Sequence, residues 1–128
     1  YDPDDPERLS KVARSFIAGL LRHAREITSV TNQWVNSYKR LVRSPVDDPL
    51  GYEAPVYVSW AMVNRSDLVR VPSYKAGREQ SRRIEYRAPD PACNPYLAFS
   101  VMLAAGLEGI EKRYPLAPLM ERNANELS

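Results

Sequence analysis

Between Ser81 and Arg87 the chain reads Ser-Arg-Arg-Ile-Glu-Tyr-Arg, a run in which charged and apolar residues alternate. Successive side chains of a β-strand point to opposite faces. As a strand, the run puts Arg83, Glu85 and Arg87 on one face and Ile84 and Tyr86 on the other. Ile and Tyr fit a half-buried pleated surface, so the apolar face would lie on a core and hold out a carboxylate between two guanidiniums. Arginine stays charged and grips planar oxyanions with two prongs. A carboxylate is a hard ligand suited to Mg²⁺ or Mn²⁺. One face thus carries the parts for holding a phosphate and its metal. The same residues also read as a surface Arg-Glu-Arg ion-pair ladder, the commoner use of exposed charge, and the stretch by itself leaves both readings open.

Arginine outnumbers lysine heavily, and eight of the arginines fall between Arg40 and Arg87. That bias suits specific oxyanion recognition better than generic solubility. Net charge over the 128 residues is only +2, too balanced to imply nucleic acid or an anionic membrane. A nucleic-acid module built on Arg65, Arg70, Arg78, Arg82 and Arg83 is disfavoured because these arginines alternate with acids and no known nucleic-acid-binding signature accompanies them. Cys93 is the single cysteine, which excludes an intrachain disulfide and points to an intracellular, cytoplasmic setting. The acidic, proline-rich start has no signal-peptide character, and its aspartates lack calcium-loop spacing, so it reads as a solvated lead-in. The longest apolar run, about Tyr96 to Leu107, falls short of the roughly 20 residues that span a bilayer. His23, the only histidine, reads as structural or surface.

These residues must be positioned by short elements. Val12, Phe16, Ile17, Leu20, Leu21, Ala24 and Ile27 recur at helical spacing and predict one amphipathic helix from about Leu9 to Ile27, capped by Ser10. Asn32 to Val42 is polar with interleaved aromatics and has no clean period. Arg43 to Gly51 holds two prolines and two aspartates and reads as a loop. It runs into Gly51-Tyr52-Glu53-Ala54-Pro55, where a glutamate beside a glycine hinge reads either as a mobile lid residue or as an idle surface acid. Val56, Val58, Trp60 and Met62 alternate and predict a strand over Pro55 to Val63 with those four on one face. Leu68 to Val71 predicts a second strand, with Arg70 turned away from Val69 and Val71. Short connections predict an antiparallel meander. Ala88 to Pro95 is irregular, and Tyr96 to about Arg113 predicts a strongly apolar helix in which Ala104, Ala105 and Gly106 allow close packing.

The ordered set Phe16-Ile17-Ala18-Gly19-Leu20-Leu21, Asn36-Ser37-Tyr38-Lys39-Arg40-Leu41, Gly51-Tyr52-Glu53-Ala54-Pro55, Asn64-Arg65-Ser66, Leu68-Val69-Arg70-Val71-Pro72, Arg83-Ile84-Glu85-Tyr86-Arg87 and Asn94-Pro95-Tyr96-Leu97-Ala98-Phe99 resembles the C-terminal part of the glutamine synthetase catalytic domain. The resemblance implies ATP-dependent ligation of ammonia to the γ-carboxyl of glutamate through a γ-glutamyl phosphate. It implies that Arg40 and Arg87 contact the glutamate carboxylate, and that Arg65, Arg70 and Arg83 face the transferring phosphoryl group and the nucleotide phosphates. Glu85 is then a ligand of Mg²⁺ or Mn²⁺, and Glu53 is the flap residue that closes the site and helps take a proton from ammonium. The alternatives are a γ-glutamyl-amine or polyamine synthetase of the same family and a non-catalytic relative.

The implied fold is α+β, a small antiparallel sheet with two packed amphipathic helices, within the family's catalytic barrel. Residues 1–128 are expected to be one C-terminal fragment, with a flap loop over 43–55 and a tail over 115–128. The chain corresponds to about the last quarter to third of a family member, so it is expected to be inactive alone. Its expected partners are the N-terminal part of the same protein and neighbouring subunits of a homo-oligomer, with no nucleic acid and no membrane. Two departures stand out. Arg43 to Leu50 occupies the place of a much shorter family link, and the stretch after Tyr114 lacks the segment that carries an adenylylated tyrosine in some bacterial members.

Overall fold

Ser10 sets where the first helix begins, its hydroxyl accepting the N–H of Ala13 at 3.2 Å. In the computed structural model, which describes residues 1–42 and 54–120, α1 spans Lys11–Arg22 and α2 spans Ala24–Thr31. The single helix predicted over 9–27 is therefore two. His23, at φ −99° and ψ 21°, leaves helical geometry between them. Backbone bonding nevertheless runs through the break, since His23 N–H donates to Gly19 O and Ile27 N–H to His23 O. The junction is thus a kink, and the apolar spacing carries across it without a gap. No glycine or proline marks it, so the periodicity had nothing to register.

A short helix, α3, follows at Val35–Lys39, and after residue 54 come β1 (Tyr57–Ala61) and β2 (Asp67–Arg70). A 3-10 turn at Glu79–Ser81 precedes β3 (Glu85–Tyr86), and α4 (Pro95–Glu111) completes the α+β layout of the described residues. Asn94 caps α4 by accepting the N–H groups of Tyr96 and Leu97, with Pro95 at the first helical position. Ile17, Leu20 and Ile27 from the helices meet Trp60, Leu68, Val69 and Val71 from the sheet in one core. Among the described residues no helix is long and apolar enough to cross a membrane.

The sheet order is β1-β2-β3, and it is mixed rather than antiparallel throughout. β2 and β3 pair antiparallel, but β1 and β2 run parallel, with Tyr57 opposite Asp67 and Ala61 opposite Arg70. A link of five residues, 62–66, makes that crossover. Running back along β1 takes about 13 Å, and the link can reach about 20 Å when extended. A short connection therefore permits parallel pairing here, which the meander expectation overlooked. The predicted common face of Val56, Val58, Trp60 and Met62 also breaks. The register slips between Tyr57 and Trp60, leaving Val58 64% exposed while Trp60 and its neighbour Ala61 are both buried. Trp60 then anchors the chain beyond α4, its Nε1 donating to Ala117 O at 2.8 Å and its carbonyl accepting from Met120 N–H at 3.1 Å. Leu116 and Leu119 pack on the core, so the first part of the predicted tail is docked.

The opening segment is largely exposed, as a solvated lead-in would be, but Asp5 within it is held in place. The Asp5 carboxylate accepts from Arg14 Nε at 2.7 Å and Nη2 at 2.9 Å, and from the N–H groups of Glu7 and Leu9. Arg14 also bonds Glu7, and Arg82 reaches back to Glu7 O and Pro72 O. Between the helices, glycines set the spacing. A Cβ added at Gly19 would lie 2.2 Å from Ala105 O, and one at Gly109 would lie 2.2 Å from Ser15 O. Backbone cannot yield like a side-chain tip, so α1 and α4 must separate to admit either methyl.

Two outcomes follow for the 128-residue chain in urea unfolding. Gly19→Ala and Gly109→Ala each lower stability by about 1–3 kcal/mol despite raising helix propensity; a gain in stability would refute the backbone contact. The Arg14 hydrogen bonds, assisted by the Leu9 and Glu7 N–H groups, hold Asp5 down at about 2 from a usual 3.8. Because this pKa is depressed in the folded state, the bond's contribution is whole above about pH 4 and disappears as pH falls through about 2. Asp5→Asn therefore shows a smaller loss of urea midpoint than the parent over that interval, and equal losses would refute the assignment.

Candidate active site

The strand register does the first step of assembly. β2 is the middle strand, and the β2–β3 pairing sets Arg70 opposite Glu85 and Val69 opposite Tyr86. Val69 is fully buried, and Tyr86 packs against the core. Arg70 and Glu85 therefore share the other face. Glu85 Oε2 lies 3.1 Å from Arg70 Nη1, and Glu85 Oε1 lies 3.1 Å from Arg83 Nη2. Arg83 sits two residues before Glu85 and Arg87 two residues after it, and Arg87 N–H donates to Leu68 O, so the pairing continues past β3. The arrangement is one carboxylate shared by guanidiniums from adjacent strands, with a further arginine next along the same face.

Arg40 joins from the segment after α3. Its Nη2 donates to Ala88 O at 2.7 Å, with Arg87 O and Pro89 O at 3.2 and 3.3 Å. That guanidinium thus grips the backbone of the residues that follow β3. Arg65 lies exposed on the β1–β2 link, two residues before β2. Glu53, the proposed flap residue, lies outside the described residues, as does the rest of 43–53. The structure thus brings Arg70, Arg83 and Glu85 into direct contact and ties Arg40 to the backbone at Arg87.

Polar residues that the sequence did not single out hold this corner. Asn32 Nδ2 donates to Ala88 O at 3.0 Å, Thr31 Oγ1 donates to Asn32 Oδ1 at 2.7 Å, and Asp90 N–H donates to Thr31 O. The Ser37 hydroxyl donates to Asp90 Oδ2 at 2.5 Å. That bond, the Ala92 N–H and the nearby Arg40 charge together hold the Asp90 carboxyl below its ordinary range. Thr31, Asn32 and Ser37 are buried, and they bridge 31–40 to 87–92 across more than fifty residues of chain. An Asp between prolines, whose oxygen accepts an N–H two residues on, was the available local signal. Its distant partner Ser37 had none.

Among the described residues, Tyr86 is the strongly shifted group beside the cluster. Burial pushes its phenol up to about 12, so it stays neutral and takes no acid–base role at ordinary pH. Glu85 spends both oxygens on arginines, and among the described residues no three Asp, Glu, His or Cys cluster as a metal site would need. By themselves these residues do not make a metal site. A hollow of about 320 Å³ opens between the helices and β1, lined by Ala24, Thr28, Tyr38, Leu41, Val56 and Leu68. It is apolar and carries none of the described candidates, so it is not the centre of this chemistry.

A family model described as glutamine synthetase, catalytic domain, matches residues 1–128. The chain belongs to the glutamine synthetase catalytic-domain family. It is 59% identical over its whole length to the glutamine synthetase of Mycolicibacterium smegmatis, covering 27% of that protein. It is 59% identical to that of Methanosarcina mazei over 113 residues, 88% of this chain and 23% of that protein. Against that of Thermotoga maritima it is 54% identical over 122 residues, 94% of this chain and 26% of that protein. The chain thus spans about a quarter of the length of the curated relatives it matches.

Removal of Arg40 tests the geometry directly. In Arg40→Ala, the amide protons of Arg87 and Ala88 should exchange with solvent at least several-fold faster, while those of α1 hold their rates, as read by hydrogen exchange. Unchanged exchange at 87–88 would show that the grip on those carbonyls does not constrain the segment.

Proposed function

We propose that this chain is part of an ATP-dependent glutamate–ammonia ligase that works through a γ-glutamyl phosphate. The observation that carries the reading is the Arg70–Glu85–Arg83 cluster, supported by membership of the glutamine synthetase family. Phosphoryl transfer rests on positioning and charge neutralisation rather than on covalent help from the protein. Guanidiniums fixed side by side on a strand pair are suited to that task because no reorganisation is needed when charge develops.

In this reading Arg70 and Arg65 face the transferring phosphoryl group and Arg83 a nucleotide phosphate. Arg87 and Arg40 face the glutamate carboxylate, with the Thr31–Asn32–Ser37–Asp90 network keeping the Arg87 backbone in place. Glu53 closes over the acyl phosphate, excludes water from it and takes a proton from ammonium, which becomes a nucleophile only when deprotonated. Glu85, whose oxygens here meet Arg70 and Arg83, would supply one carboxylate to a divalent ion, and the remaining ligands would come from outside these residues. When bound, Mg²⁺ or Mn²⁺ supplies further neutralisation at the phosphates. The substrates are glutamate, ATP and ammonia, the setting is the cytoplasm, and the assembled form is a homo-oligomer.

The purified 128-residue chain is expected to form no glutamine from glutamate, ammonia and ATP, because about three-quarters of the relatives' length is absent from it. Detectable turnover would refute that. Within a polypeptide of the relatives' full length, Arg70→Gln or Arg83→Gln should lower kcat about 10²–10³-fold, the usual cost of one preorganised donor. Coupled phosphate release measures this, and an unchanged kcat in both variants would overturn the phosphoryl-binding assignment.

A further inference from the structure

Arg83 stands two residues ahead of β3, outside the paired positions of the strand ladder, and its side chain is exposed. Strand pairing therefore does not place it. Its neighbour Arg82 is extended, at φ −59° and ψ 124°, so the two side chains leave the chain on opposite sides. Arg82 is half-buried. Its Nη1 donates to Pro72 O at 3.1 Å, and its Nη2 donates to the carbonyl of Glu7, 75 residues earlier. Its Cζ lies 5.3 Å from the centroid of the Tyr74 ring, whose face attracts a cation. That ring in turn meets Tyr1 edge to face at 5.8 Å. Both carbonyl partners sit on held backbone. Pro72 is buried two residues after Arg70. Glu7 is bonded through its carboxylate to Arg14 of α1, and its N–H donates to Asp5 Oδ2 at 3.0 Å. One planar fork thus ties the approach to β3 both to the end of β2 and, through Glu7, to α1.

We propose that Arg82 is a positioning residue for Arg83, fixing where that guanidinium stands relative to Arg70. The inference rests on the reading above, in which Arg83 faces a nucleotide phosphate and Arg70 the transferring phosphoryl group. Two arginines on one polyphosphate must keep a set separation. Glu85 links the ends of their side chains, but it does not hold the backbone from which Arg83 springs. Arg82 does, through Pro72 just beyond Arg70 and through Glu7. The requirement is strict, since a misplacement of about 1 Å can cost on the order of 10²-fold in rate. Arg82 spends its own bonds on backbone carbonyls, so it acts on the chemistry through its neighbour.

The test has two arms. In a polypeptide of the relatives' full length, coupled phosphate release is followed for Arg82→Gln, Arg83→Gln and the double variant. Arg82→Gln should lower kcat about 10–10²-fold. It should leave KM for glutamate unchanged, because Arg40 and the Arg87 backbone are held by separate bonds. The double variant should be no slower than Arg83→Gln alone, since Arg82 acts through Arg83. A general loss of folded enzyme would instead multiply the two effects. Arg82→Lys keeps the charge but loses the fork, so its kcat should fall between parent and Arg82→Gln. It replaces Arg82→Gln in the cycle should that variant not fold. In the second arm, Arg82→Gln in the 128-residue chain should speed amide exchange over 79–83 several-fold while α1 holds its rates. Multiplied losses, a changed KM for glutamate or unaltered exchange over 79–83 would each overturn the proposal. If exchange accelerates but Arg83→Gln keeps full activity, the tie is real and the phosphate reading fails, taking the role of Arg82 with it.

Discussion

Two guanidiniums repel each other, and Glu85 is what lets Arg70 and Arg83 stand together. Its oxygens lie 3.1 Å from one nitrogen of each. The side chains are partly exposed, at 24%, 33% and 58% for Arg70, Glu85 and Arg83, where an ion pair contributes about 0–1 kcal/mol. The cluster therefore does little to hold the fold together. Its value is geometric, since it fixes where positive charge points. That geometry depends on one backbone constraint, the β2–β3 register that puts Arg70 opposite Glu85. A slip of one residue would turn the whole set toward the core. The slip is opposed by Val69 and Tyr86, which occupy the opposite face and pack on the core.

The rest of the molecule serves that register. β2 is flanked by strands on both edges, and β1 is tied to it by parallel pairing and to the chain beyond α4 through Trp60. Behind the sheet, α1 and α4 approach to backbone contact at Gly19, Ala105 and Gly109. Across the far end, Arg40, Asn32 and the Ser37–Asp90 bond fasten the irregular segment after β3, where proline excludes regular bonding. A segment without ladder bonds must satisfy its carbonyls with side chains, and this one uses an arginine and an asparagine to do so.

Several features were legible because they depend on local chemistry. Ser10 starts its helix where its type and neighbours say it should, whereas Asn94-Pro95, read only as the end of an irregular stretch, in fact caps and opens α4 one residue before the expected Tyr96. Alternation in Arg83-Ile84-Glu85-Tyr86-Arg87 gave the right faces, although regular pairing covers only Glu85–Tyr86. The kink at His23, the bulge in β1 and the parallel β1–β2 pair were not legible. Each comes from what packs against the element. His23 Nε2 sits 2.8 Å from Glu108 on α4 at the break, and no local pattern encodes a partner 85 residues away.

By itself, the sequence determined which residues carry charge, the apolar side formed by Ile84 and Tyr86, the start of α1 at Ser10, and membership of the glutamine synthetase family, because these depend on residue types in order. The tertiary structure alone decided that Glu85 bridges Arg70 and Arg83, that Arg40 grips the carbonyls after β3, and that Asp5 is a clamp rather than a solvated acid. The physical reason is the same in all three. A charged side chain has several chemically equivalent partners along a chain, and only the folding of distant segments into contact selects one.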